Sequence, residues 1–125
     1  MKGRRAYSVY IGQTREALQH ALQFTAGLNQ DQFTVDQRTI DATVWALEMA
    51  GEAAKRVPDQ IRALDSTIPW RTMAGMRDVM IHCYNEVDIA EVWNIVQGDL
   101  GEMLPRLERL QRLLERQEDE EWERG

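Results

Sequence analysis

The chain has 125 residues, of which 15 are Lys or Arg and 21 are Asp or Glu, giving a net charge of −6. That length makes one domain able to bury a core without staples, and 43% hydrophobic with 29% charged residues excludes a disordered polar chain. The excess of acid argues against a surface that grips nucleic acid broadly, because phosphate binding draws on Lys and Arg.

Tyr7, Tyr10/Ile11, Thr14, Leu18, Ala21/Leu22 and Thr25 recur at three- and four-residue steps. They predict a first helix from about Arg5 to Thr25 with one buried stripe, stopped at Gly27. Phe33 is expected to pack from the following loop. Asp36 is placed to cap a second helix reaching about Val57, with Ile40, Val44, Leu47 and Ala50/Gly51 on one face. Its many small residues (Ala42, Ala46, Ala50, Gly51, Ala53, Ala54) permit close packing of another helix. Pro58 ends it, and Pro58 to Leu64 reads as a short helical turn. A third helix is predicted from Trp70 to Tyr84. A fourth is capped by Asp88 and carries Ile89, Val92, Trp93 and Val96. Gly98 and Gly101 weaken it, and Pro105 is expected to kink or restart it. The last helix carries Leu104, Leu107, Leu110, Leu113 and Leu114, and the acidic segment 118–125 is expected to fray. No alternating strand pattern of useful length occurs. The expected fold is an all-α, up-and-down bundle of four to five helices over residues 1–117, followed by the tail.

Cys83 is the single cysteine, which excludes an intramolecular disulfide and fits a reducing compartment. The basic start Met1-Lys2-Gly3-Arg4-Arg5 is followed by no apolar stretch, and no apolar run approaches the ~20 residues that span a bilayer. A cytoplasmic protein with no membrane partner is the expectation.

One segment departs from leucines, alanines and solvated charges: residues 70–85, WRTMAGMRDVMIHCYN. On a helix, Met73, Met76, Met80, Cys83 and Val87 form one stripe, suited to the core. Arg71, Gly75, Asp78, His82 and Asn85 form another. Asp78 precedes His82 by four residues, the spacing at which a carboxylate can orient an imidazole. Arg77 and Tyr84, seven apart, also share a face. An Arg, an acid, a His and a phenol within three turns suit attack on a phosphodiester. The histidine can move a proton at the ribose 2′-hydroxyl or the leaving 5′-oxygen, and the arginine can hold the phosphate. A symmetric dimer pooling two such sets would cover both proton transfers. By residue types alone, a solvated Asp–His pair is the plainer alternative.

Arg77-Asp78, three residues, then His82-Cys83-Tyr84 resembles the Arg-polar-x3-His-x-Tyr signature of HEPN-domain toxins, specifically the HepT group. Gly51-Glu52-Ala53-Ala54-Lys55 resembles that family's second-helix motif. Ile68-Pro69-Trp70-Arg71 with Gly75-Met76-Arg77 resembles its approach to the active site, and Val87-Asp88, Val92-Trp93 and Asp99-Leu100 resemble the following helix. The resemblance implies a homodimer with Arg77 and His82 of both copies in one cleft, and a metal-independent endoribonuclease needing no cofactor. It implies a two-gene toxin–antitoxin system whose minimal nucleotidyltransferase antitoxin transfers AMP from ATP (with Mg) to Tyr84. Arg77 and His82 are then catalytic, Asp78 is the supporting polar residue, and Arg71 is a possible RNA contact. The alternative is a catalytically inactive module that binds nucleotide, RNA or the antitoxin; a purely structural helical dimer is a third reading.

Other residues have plainer readings. His20 is expected at the surface or half-buried, and Cys83 as a small buried hydrophobe. Glu52 has two readings, reaching toward the cleft or packing and capping within its helix. Arg106, Arg109, Arg112 and Arg116 form an RNA-facing strip or, preferably, a solvated face with i,i+4 partners Glu102 and Glu108. Trp45, Trp70 and Trp93 are expected as core or dimer-interface anchors. The charge objection also narrows. Five acids and one base, a net of −4, lie in 118–125, which leaves 16 acids and 14 bases, a net of −2, on the body. Recognition of RNA at a small site is compatible with that balance.

Overall fold

A computed structural model describes residues 2–85, 88–98 and 100–124, with the side chains of 2–6, 79 and 82–85 outside the description. Among the described residues there are seven α-helices and no strand. They are α1 (Lys2–Thr25), α2 (Gln30–Thr34), α3 (Gln37–Lys55), α4 (Asp59–Arg62), α5 (Trp70–Asn85), α6 (Ile89–Gln97) and α7 (Leu100–Arg124), with a 3-10 turn at Ala63–Asp65.

Local chemistry sets the boundaries. Gly27, at φ +80°, takes the left-handed conformation that ends α1. Asn29 and Gln32 form a reciprocal capping box that starts α2, which carries Phe33 into the core. Phe33 therefore packs from a short helix rather than a loop. Asp36 caps α3, accepting from the Thr39 amide at 3.1 Å and its hydroxyl at 2.7 Å. At the other end of α3, the Arg62 guanidinium donates to the carbonyls of Ala54 at 3.0 Å and Val57 at 2.8 Å. Asp88 caps α6 through the Glu91 amide, as expected.

α3 packs between α1 and α5, and α1 packs on its other side against α7. The predicted stripes are the buried ones: Ile11, Thr14, Leu18, Ala21 and Thr25 on α1, and Ile40, Val44, Leu47, Ala50 and Gly51 on α3. The buried threonine hydroxyls bond back to carbonyls one turn earlier, Thr14 to Tyr10 and Thr43 to Thr39, so they leave no orphan donor. Trp70 is buried and its indole N–H donates to the carbonyls of Arg62 and Asp65, which ties the start of α5 to the preceding turn. Phe33 and Trp93 meet with ring centroids 5.2 Å apart, joining α2 to α6.

Two expectations need correction. The last helix begins at Leu100, and Pro105 lies inside it rather than restarting it. The amide that Pro105 lacks would have bonded the carbonyl of Gly101, an exposed residue, so water can take its place. The acidic segment expected to fray is helical to Arg124, with the Ser8 hydroxyl donating to Glu118 at 2.7 Å. Of the two readings of Trp45, core or dimer-interface anchor, the structure removes only the first, because 55% of its surface is exposed on α3. Among the described residues no helix is long and apolar enough to cross a membrane.

Candidate active site

α5 divides as its periodicity requires. Met73, Met76 and Met80 are buried against α3, while Arg71, Arg77 and Asp78 are exposed. Arg71 stands about one and two-thirds turns before Arg77, about 9 Å along the axis. α5 continues to Asn85, so His82 is about 7.5 Å beyond Arg77 on the same helix. The side chains of His82, Cys83 and Tyr84 lie outside the described residues, and so does the proposed contact of Asp78 with His82.

Gly51 decides how closely α3 approaches this helix. A Cβ there would stand 2.7 Å from the Arg77 amide nitrogen, 3.1 Å from the Met73 carbonyl oxygen and 3.3 Å from the Arg77 Cβ. Any side chain would push against backbone, which cannot swing aside, so glycine is what allows this crossing. The crossing sets the next residues of α3 beside the polar face of α5. Glu52 Oε2 lies 3.2 Å from Arg77 Nε, and Lys55 Nζ lies 3.4 Å from Asp78 Oδ1. Behind Glu52, Arg56 reaches its other oxygen at 3.9 Å, and the Arg56 guanidinium sits over the Tyr10 ring at 5.5 Å.

The Glu52–Arg77 contact is an ion pair rather than a hydrogen bond. Glu52 Oε2 is shielded from solvent, yet among the described residues it has no aligned donor. Among those residues Glu52 is also the only partner of the Arg77 guanidinium, leaving its two terminal amino groups for an incoming anion. The site thus offers a cation held at one edge, a half-buried acid behind it, and a second acid–base pair one residue on.

Glu52 and Lys55 were the residues least legible in advance. In sequence Glu52 has two readings, and no spacing links Lys55 to Asp78. The available signal was Gly51 itself: a glycine inside an alanine-rich helix marks a close crossing, and the charged residues after it lie beside that crossing.

Residues 14–123 match the family model described as Ribonuclease HepT-like. The chain belongs to the HepT-like ribonuclease family. A protein of Thermococcus cleftensis named as a probable ribonuclease HepT is 35% identical over 109 residues, covering 87% of this chain and 99% of its own. A candidate RNase of Caldanaerobacter subterraneus subsp. tengcongensis is 34% identical over 103 residues, covering 82% and 89%. A candidate RNase of Methanocaldococcus jannaschii is 30% identical over 107 residues, covering 86% and 88%. No solved structure gives a significant match. The HepT-like match spans α3 and α5, so Glu52, Lys55, Arg77 and Asp78 all fall within it. The all-α bundle is that expected of a HEPN domain.

Proposed function

We propose that this chain is a metal-independent endoribonuclease and the toxin of a two-gene system acting in the cytoplasm. The observation that supports it is Arg77, exposed on the polar face of α5 with its terminal amino groups unclaimed among the described residues, in a chain of the HepT-like family. In the proposed reaction the ribose 2′-oxygen attacks phosphorus, the P–O2′ bond forms and the P–O5′ bond breaks. A 2′,3′-cyclic phosphate and a 5′-hydroxyl result. His82 takes the proton of the 2′-hydroxyl or supplies one to the 5′-oxygen, while Arg77 counters the negative charge that grows on the phosphoryl oxygens. One histidine performs one transfer at a time, so a homodimer pooling two sets completes the cycle. Arg71 adds a contact to the RNA backbone, and Asp78 supports the site.

Control is proposed to come from a minimal nucleotidyltransferase antitoxin. The Tyr84 oxygen attacks the α-phosphorus of ATP, the bond to pyrophosphate breaks, and AMP remains on the phenol. Its anion, two residues from His82, would oppose RNA phosphate by charge and bulk. Mass spectrometry of the protein co-expressed with that antitoxin should find AMP on Tyr84. A silenced but unmodified protein would favour occlusion instead.

The ribonuclease reading is tested by incubating the purified protein with total cellular RNA in chelator, beside its Arg77→Ala and His82→Ala variants. Cleavage by the wild type and a loss of about 10²–10⁴-fold in His82→Ala are expected. Equal behaviour of all three proteins, with normal growth on expression of each, would leave the inactive binding module as the better account.

A further inference from the structure

Arginine recognises phosphate through a planar fork, so its value to a reaction depends on where that fork points. A long side chain 46% exposed on a helix surface samples many rotamers unless something holds it. The described structure holds Arg77 at one place only, its Nε edge, by Glu52 from the neighbouring helix.

Glu52 is itself held from two directions. Gly51 brings its backbone to the closest point of the α3–α5 crossing. Arg56 draws its second oxygen from behind, braced on the Tyr10 ring. Its Oε2 atom has given up water without gaining an aligned hydrogen bond, an arrangement that costs stability unless the adjacent cation compensates. A surface ion pair contributes little to folding, so stability does not explain why an acid stands there. An acid beside a phosphate-binding arginine also works against RNA binding by simple repulsion. Both considerations leave orientation as what Glu52 supplies.

We propose that Glu52 is the positioning residue for Arg77: its carboxylate holds the Nε edge of the guanidinium and leaves the two terminal amino groups for the scissile phosphate. This rests on the ribonuclease reading above. Arg77 acts most strongly on the charge that develops in the transition state, so misdirecting it lowers kcat rather than raising KM. Removing the acid also removes a repulsion, so KM stays level or falls.

The test uses the full chain and a fluorophore-labelled single-stranded RNA of mixed sequence. In Glu52→Ala, kcat should fall about 10- to 100-fold, the scale of a misplaced catalytic contact, while KM does not rise. Glu52→Gln keeps the shape and polarity of the side chain but not the charge that draws the Nε edge, and should fall between wild type and Glu52→Ala. Binding of the 2′-deoxy form of the same oligonucleotide, which cannot be cut, should be unweakened. In the Arg77→Lys background no fork remains to orient, so adding Glu52→Ala should change kcat less than about two-fold. Wild-type kcat in Glu52→Ala, or the same loss in both backgrounds, or a drop in thermal midpoint accompanying the loss, would each overturn the positioning role. A wild-type protein that cuts no RNA would instead remove the ribonuclease reading and this role with it.

Discussion

The crossing of α3 and α5 at Gly51 leaves no room for a Cβ, and two glycine-to-alanine variants isolate what it is worth. Both Gly51 and Gly75 lie inside helices, so alanine relieves the conformational penalty of glycine by about 0.5–1 kcal/mol at either. Gly75 has no atom within 4 Å of the added Cβ, so Gly75→Ala should keep that gain and raise the unfolding midpoint. At Gly51 the Cβ would meet the Arg77 amide nitrogen at 2.7 Å. Ordinary carbon contacts lie near 3.5 Å, so the helices must part by roughly 0.8 Å. Overpacking of this kind costs about 1–3 kcal/mol. The propensity gain cancels between the variants, so Gly51→Ala should be about 1–3 kcal/mol less stable than Gly75→Ala. Urea unfolding followed by circular dichroism measures the difference directly. If the two variants agree within about 0.5 kcal/mol, the ordinary scatter of neutral surface changes, the reasoning fails. A displacement of that size at Arg77 should also lower kcat by up to about 100-fold.

Phe33 is fully buried and packs at a tilt against Trp93, so Phe33→Ala should cost about 3–5 kcal/mol by thermal or urea unfolding. Asp36 is held below the usual carboxylate range, first by the Thr39 hydroxyl and then by the Thr39 amide, which both donate to its charged form. A depressed native value means stability that is present above about pH 4 and lost as pH falls through that native value. Asp36→Asn should therefore flatten the acid side of the stability–pH profile, and an unchanged profile would refute the link. The Ser8–Glu118 hydrogen bond spans the first and last long helices at 2.7 Å. Removing it in Ser8→Ala should cost about 1 kcal/mol and speed amide hydrogen exchange over residues 118–124; unaltered exchange there would show that the acidic end is held by other contacts.

Most of the helical plan was legible because it depends on short-range rules. Asp36 and Asp88 announce N-caps, Gly27 a stop, and the three- and four-residue spacing of Ile40, Val44 and Leu47 a buried face. The misreadings have equally local causes. α2 is five residues long, too short to display a period, and only its capping box marks it. Pro105 reads as a kink or a restart, and the restart fails because the carbonyl it orphans belongs to an exposed residue, which the sequence does not say. Bulk suggests that Trp45 anchors either the core or a dimer interface, and only its angular position on α3, off the packed stripe, removes it from the core.

Order and spacing along the chain were enough for the long helices, their apolar faces and the family. They also placed Arg77, Asp78 and His82 on one helix, because that spacing is part of the motif. What stands beside that helix was decided only in three dimensions. Glu52 is 25 positions from Arg77, and Lys55 is 23 from Asp78. No helical period links such distances. They meet because Gly51, lacking a Cβ, lets two helices touch backbone to backbone, and that contact exists only once the core on their other faces has formed.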